Sequence, residues 1–124
     1  MNRDIENALL SPTGTVQDGI GCIEASPHKI VLVVDDEGRL LGTATDGDIR
    51  RGILRRVELS APIVETMNSH PLSARIGAPQ DEYVALMRKH RVRHLPLLND
   101  DDVVIGIETL IAAESHDLKD HWLS

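Results

Sequence analysis

The chain has 124 residues, of which 41% are apolar and 27% charged, and these proportions are typical of one ordinary globular domain. Its net charge of −7 argues against nucleic-acid binding, because such binding depends on summed positive charge. The sequence contains no apolar run that approaches the ~18 residues of a membrane span. The single Cys22 excludes an internal disulfide framework, so we expect a cytoplasmic protein that binds neither nucleic acid nor membrane.

The first half of the chain predicts an extended piece, a helix, a hairpin and a second helix. The extended piece covers residues 8–11, and a capping box at residues 15–18 begins the first helix, which ends at Pro27. The apolar runs on either side of the acidic turn at residues 35–38 predict two antiparallel strands. After this hairpin the apolar spacing predicts an amphipathic helix, with its arginines in solvent, that buries Ile49, Ile53, Leu54 and Val57.

The second half repeats this order after a linker at residues 59–62. An extended piece at residues 72–75 precedes a helix whose first turn we expect to include Pro79. The basic run at residues 88–93 marks the end of that helix. A second hairpin follows, and the apolar residues at 110–113 take the place of the last helix.

The two halves are related by a constant offset. Gly106 follows Gly42 by 64 residues, and both halves have the order apolar run, acidic turn, apolar run, Gly, Thr. Each half holds about 60 residues and one hairpin, which is too little to bury a sheet face alone. We therefore predict an α+β fold in which two pseudo-symmetric β-α-β-β-α repeats, residues 1–60 and 61–124, pack sheet to sheet as one module. The absence of Phe predicts an aliphatic core.

The most informative stretch runs from Gly42 to Arg51, across the end of a strand and the start of a helix. Free backbone N–H groups and the helix dipole favour an anion there. The Thr45 hydroxyl can donate to a phosphate oxygen, and the Asp48 carboxylate can accept two hydrogen bonds from the vicinal diol of a ribose. The alternative is structural: Asp46 caps the helix and Asp48 lies in its favourable first turn. The spacing alone leaves both interpretations open.

Three short motifs, taken in order, resemble a known family. Residues 42–48 match the pattern Gly-x-x-Thr-x-x-Asp, and residues 67–71 match a Met-x-x-x-Pro entry to the second repeat. The strand at residues 93–98 ends before an acidic turn. Together with the internal repeat, these motifs indicate that residues 8–113 resemble a tandem cystathionine-β-synthase (CBS) domain pair, also called a Bateman module.

The resemblance implies a regulatory module, not an enzyme, that binds an adenine nucleotide in the cleft between its repeats. In this family the Thr of the motif contacts phosphate and the Asp contacts ribose, which assigns these roles to Thr45 and Asp48. Base contacts come from the extended segment and the first strand, and here they must be aliphatic because the chain is so poor in aromatic residues. No further cofactor is required. The expected ligand-binding residues are Leu10, Ile30, Val31, Gly42, Thr43, Ala44, Thr45, Asp46, Asp48 and Arg51.

The second repeat departs from the motif. Thr109 keeps the hydroxyl position, but Ala112 stands 64 residues after Asp48, where the ribose-binding Asp belongs. We therefore expect one competent nucleotide site. The residues of the second, degenerate site are His94, Leu95, Pro96 and Thr109.

The family resemblance also implies a homodimer, and the face around Gly19 and Gly21 is compatible with one. Residues 40–54 are similar to CBS pairs fused to bacterial sugar-phosphate nucleotidyltransferases, so a fused or interacting enzyme of that kind is an expected partner. Two alternatives stay open. One is an assembly domain whose cleft is filled by side chains, and the other is a regulatory region excised from such an enzyme.

The sequence predicts no metal site. His90 and His94 fall on different predicted elements, and His116 and His121 lie in a polar tail. The acidic turns lack the alternating ligand spacing of a calcium loop. Cys22 lies in an apolar helix pattern, so no nucleophile is expected.

Overall fold

The computed structural model describes residues 3–110. The helices are α1 (Val16–Ala25), α2 (Asp46–Leu54) and α3 (Gln80–His90), with 3-10 helices at Arg3–Ala8 and Ile63–Glu65. The strands are β1 (Leu9–Leu10), β2 (Ile30–Val34), β3 (Leu40–Thr45), β4 (Ala74–Arg75), β5 (His94–Leu98) and β6 (Val104–Thr109). The predicted helix at residues 110–113, with Ala112, and the tail histidines His116 and His121 lie outside the described residues.

The strands form two three-stranded sheets of the same design. Their orders are β1-β2-β3 and β4-β5-β6, and in each sheet the first pair is parallel and the second antiparallel. The antiparallel register is interrupted at Val33/Val34 in one sheet and at Leu97/Leu98 in the other. These interruptions are also 64 residues apart, so the predicted repeat and the α+β fold class are confirmed.

The two acidic turns are built in the same way. The Asp35 Oδ1 atom accepts hydrogen bonds from the N–H groups of Glu37 and Arg39, both at 2.9 Å. In the second half Asn99 does the same for the residues two and four positions later, at 2.8 and 3.1 Å. A side-chain acceptor therefore closes each predicted hairpin on its own backbone.

Helix α1 begins with the predicted capping box. The Asp18 N–H donates to the Thr15 hydroxyl at 3.1 Å, and the Thr15 N–H donates to the Asp18 carboxylate at 3.0 Å. Gly19 is buried, and a Cβ there would lie 2.7 Å from the Ile63 side chain, so this glycine allows a close approach. Gly21 is exposed and has open space around it. The close packing expected at both glycines is found only at Gly19.

Two helix predictions need correction. Pro79 is the N-cap residue of α3 rather than part of its first turn, because its ψ of 149° is extended. Helix α2 ends at Leu54, and Ile53 and Leu54 are 46% and 77% exposed instead of buried. The buried face of α2 is formed by Ile49 and by a glycine three residues later, and it does not extend to these two side chains.

The two halves pack sheet to sheet, as predicted. Ile30 and Leu32 on one face of β2 belong to a single buried cluster with three residues of the second sheet, Leu98, Val104 and Ile107. The opposite face of β2, with Val31 and Val33, packs on α1 and α2. The described core is aliphatic except for Tyr83, whose hydroxyl donates to the Arg75 carbonyl at 2.7 Å.

The predicted linker is attached to the first half. The Val16 N–H donates to the Ala61 carbonyl at 2.9 Å, and the Ile63 N–H donates to the Gly14 carbonyl at 2.7 Å. The Ile63 side chain is fully buried in the cluster formed by β2, β3, α1 and α2. The repeat boundary between residues 60 and 61 stays a prediction.

Candidate functional site

The start of α2 is a capping box formed by Thr45 and Asp48. The Thr45 N–H donates to the Asp48 Oδ2 atom at 2.9 Å, and the Asp48 N–H donates to the Thr45 hydroxyl at 3.4 Å. Thr45 is the N-cap residue because its backbone is still extended as it leaves β3. The structural alternative, in which Asp46 caps the helix, is therefore wrong by one residue. Asp46 instead forms an exposed ion pair with Arg50 at 2.7 Å.

Asp48 also joins Thr45 to Arg51. Its Oδ2 atom accepts a hydrogen bond from the Thr45 hydroxyl at 3.0 Å, and its Oδ1 atom is 2.6 Å from the Arg51 guanidinium. The carboxylate is 20% exposed and has lone pairs left to accept hydrogen bonds from a diol. The Thr45 hydroxyl must turn away from Asp48 before it can donate to a phosphate.

These three residues border a cavity of about 420 Å³ between the two halves. Its volume is within the usual range of small-molecule sites. The first half contributes Ile30, Thr43, Thr45, Asp48 and Arg51. The second half contributes Asn68, Pro71, Leu72, Arg91, Val92, Arg93, His94 and Pro96.

Half of the expected ligand-binding residues line this cavity, and the other five do not: Leu10, Val31, Gly42, Ala44 and Asp46. Strand alternation explains part of this result, because Val31 and Ala44 point to the helix side of the sheet and are fully buried there. Leu10 packs against the same helix-side cluster. These three residues support the cavity wall from behind.

Gly42 admits a neighbouring segment. A Cβ at this position would lie 2.5 Å from the Met67 Sδ atom and 2.8 Å from the Asn68 carbonyl oxygen. Next to it, Thr43 and Asn68 exchange two backbone hydrogen bonds of 3.1 and 2.7 Å. The glycine therefore lets residues 67–68 lie against β3, and this contact positions Asn68 in the cavity wall.

Two residues expected in the second site line this same cavity. His94 and Pro96 border it, whereas Leu95 is fully buried in the cluster with α3. Thr109 pairs with His94 in the β5–β6 register and lies outside the lining. Sequence reasoning missed the rest of the second-half wall. The available signals were the Met-x-x-x-Pro motif at residues 67–71 and the basic run at 88–93.

The pseudo-symmetric positions in the other cleft are filled. Thr43, Leu72 and Pro96 line the open cavity, and 64 residues away the chain has Ile107, Ala8 and Leu32. All three of these equivalents are buried in the cluster between the sheets, together with Ile5. The 3-10 helix at Arg3–Ala8 thus closes among the described residues what the equivalent segment leaves open in the other cleft.

The cavity wall carries an excess of positive charge within a chain of net charge −7. Asp48 is the one carboxylate among the lining residues, against the guanidinium groups of Arg51, Arg91 and Arg93. Burial lowers the pKa of His94, and the nearby charges of His28 and Arg93 act in the same direction. A hydrogen bond with the His28 backbone opposes the shift. The cavity is therefore suited to an anion.

Two other chemistries find little support in the described part of the chain. Burial raises the pKa of the Cys22 thiol, which disfavours the thiolate needed for nucleophilic attack. Among residues 3–110 no three His, Cys, Asp or Glu side chains are grouped to hold a metal ion. None of the helices described there is long and apolar enough to cross a membrane.

Two repeats of one supersecondary unit, enclosing a charged cavity, define a tandem ligand-binding module. A model of the CBS domain family matches residues 1–55 and 62–107. The chain therefore belongs to the CBS-domain family and contains a pair of these domains, in agreement with the sequence motifs.

Similar proteins agree with this assignment. Part of inosine-5′-monophosphate dehydrogenase of Helicobacter pylori is 37% identical over 81 residues, which is 64% of this chain and 16% of that enzyme. The chain thus spans only a small part of this curated relative. A CBS domain protein of Pyrobaculum aerophilum complexed with AMP superposes with a TM-score of 0.78 at 20% identity, covering 94% of this chain and 92% of the other. The CBS domain pair of protein MJ0100, in complex with 5′-methylthioadenosine and S-adenosyl-L-methionine, also gives 0.78, at 20% identity and with 91% and 88% covered.

Proposed function

We propose that this CBS pair is a regulatory module that binds an adenine nucleotide in the cavity between its two halves. The observation that carries the proposal is the Thr45–Asp48–Arg51 group, which borders a cavity with excess positive charge. Solved CBS structures of the same fold hold AMP in one case and two adenosyl compounds in another. CBS pairs are regulatory modules, and we extend that role to this chain.

The lining residues suggest how the ligand lies. The phosphate accepts from backbone N–H groups at the start of α2 and from Arg51, where the helix dipole favours an anion. The ribose diol donates to the free lone pairs of Asp48. The base lies among apolar groups from both halves, namely Ile30, Pro71, Leu72, Val92 and Pro96. No aromatic side chain lines the cavity, in line with the aliphatic contacts expected from composition.

Regulation follows from the position of the cavity. Because both halves contribute to its wall, a ligand that favours one arrangement of the halves shifts the module toward that arrangement. The effect on an attached or interacting protein can be no larger than the difference in ligand affinity between the two arrangements. The similarity to part of inosine-5′-monophosphate dehydrogenase adds that enzyme to the sugar-phosphate nucleotidyltransferases as a kind of catalytic partner. The cytoplasmic location expected from Cys22 stays a prediction.

Calorimetric titration with AMP tests the site. We expect the native chain to bind and Asp48→Ala to lose at least about tenfold in affinity, because charge-assisted hydrogen bonds are worth roughly 1.5–3 kcal/mol. Asp18→Ala is the matched control, since Asp18 forms the equivalent capping box in α1 and does not line the cavity. Equal affinity of Asp48→Ala and the native chain would contradict the site, and no binding by the native chain would contradict the function.

A second candidate function is assembly, as a homodimer. The observation that favours it is the exposed apolar surface on and near α2, where Ile53, Leu54, Leu59 and Val64 are between 41% and 77% exposed. A second copy that packs there would bury side chains that now face solvent. Sedimentation velocity should give a dimer for the native chain and a monomer for Leu54→Glu. The control Ile76→Glu changes another exposed apolar residue, near β4, and should leave the dimer intact; a native monomer would contradict this role.

A further inference from the structure

Helices α2 and α3 end in the same unusual way. Arg56 follows α2 with a φ of 71°, and Arg91 follows α3 with a φ of 56°, so both have left-handed backbone. In each case the next residue closes the helix by donating to the carbonyl five positions earlier, Val57 at 2.9 Å and Val92 at 3.0 Å. This pair of bonds is typical of a Schellman motif, in which glycine is the common left-handed residue.

An arginine in this position destabilises the fold relative to glycine. The Cβ atom of an L-residue crowds the backbone when φ is positive, and glycine avoids this contact. The chain uses glycine at positive φ elsewhere, at Gly38 and Gly77. The two helix ends therefore form a natural comparison, because they share one backbone strain and differ in what the arginine side chain faces.

Only one of these two arginines borders the cavity. Arg91 is a lining residue, and Arg56 is not. Within residues 3–110 the side chains of Arg91 and its neighbour Arg93 form no ion pair, whereas Arg51 is paired with Asp48 at 2.6 Å. The cavity thus contains two guanidinium groups without a counter-charge from the described chain.

We propose that Arg91 binds a phosphoryl group beyond the one at the start of α2, so that the cavity favours adenine nucleotides with two or three phosphoryl groups over AMP. This inference rests on the proposed function. A first phosphoryl group is satisfied by the α2 N–H groups and Arg51. Arg91 and Arg93 then supply positive charge and up to ten further donors, which match a second anionic group. The strain at Arg91 is thereby explained by ligand binding rather than by stability.

The test is a set of calorimetric titrations of the native chain and Arg91→Gly with AMP, ADP and ATP in metal-free buffer. We expect the native chain to bind ADP or ATP more tightly than AMP. Arg91→Gly should lower ADP and ATP affinity by about tenfold or more and AMP affinity by at most about threefold. Thermal unfolding without ligand should occur a few degrees higher in Arg91→Gly, because glycine relieves the left-handed strain.

Arg56→Gly is the matched control, since it relieves the same strain away from the cavity. It should raise the unfolding temperature similarly and leave all three affinities unchanged. Unchanged ADP and ATP affinity in Arg91→Gly, or an equal loss for AMP, would overturn the inference while leaving the proposed function intact. Absence of binding of all three nucleotides to the native chain would overturn the proposed function and this inference together.

Discussion

The two halves share one fold and differ at the clefts between them. Their strands have the same order, and their hairpins have the same register interruption and the same side-chain closure. At equivalent positions, however, Ile30 and Leu32 of the first sheet face His94 and Pro96 of the second. The comparison indicates that the repeat specifies the architecture, whereas a few side chains decide which cleft is filled and which stays open.

The largest effect should come from the residue that fills the closed cleft. Ile5 is 1% exposed and packs with both sheets, so Ile5→Ala should lower the free energy of unfolding by about 2–5 kcal/mol, measured by urea denaturation. Ser69, 64 residues later, is exposed beside the open cavity. Ser69→Ala should change the stability by less than about 0.5 kcal/mol. Equal effects at the two positions would mean that the clefts are not packed differently.

A second pair of variants tests how the segment bordering the open cavity is held. Gly42→Ala places a Cβ 2.8 Å from the Asn68 carbonyl oxygen, so we expect a loss of about 1–3 kcal/mol and weaker nucleotide binding as Asn68 moves. Gly106→Ala is its repeat equivalent, where the nearest atom is 3.9 Å from the new Cβ, and it should be tolerated. Urea denaturation and AMP titration measure both effects. A tolerated Gly42→Ala would contradict the close contact between the segment and β3.

The smallest effect should be the pH dependence contributed by His94. Its pKa is lowered in the folded chain by burial, so the unfolded chain binds a proton more readily and stability falls as the pH drops below the usual value of 6.5. We expect the unfolding temperature to fall from pH 7.5 to pH 5.5, and to fall less in His94→Gln. Identical pH dependence of the two proteins would contradict the burial of His94. Ile30, its equivalent, contributes no such titration.

Much of this comparison could be predicted from the sequence. The hairpins, the capping box at Thr15 and the 64-residue offset depend on local chemistry, and local chemistry is readable in order along the chain. The roles of Thr45 and Asp48 were also readable as a pattern, although not the exact cap. Both residues do border a cavity, because helix starts and strand ends lie together in this topology.

The second-half wall could not be predicted in the same way. Residues such as Arg91 and His94 reach the cavity only because the two sheets pack face to face, which is a tertiary effect. The exposure of Leu54 was missed for a related reason, since the helix ends one turn earlier than the apolar spacing indicates. The closure of the other cleft depends on Ile5, which no local motif marks.

The central claim, one open nucleotide cleft and one closed cleft per chain, is tested most directly by the stoichiometry of the AMP titration. The account predicts one AMP bound per chain in the native protein, with that binding weakened by Asp48→Ala. Two AMP molecules per chain, or binding that is unaffected by Asp48→Ala, would contradict it.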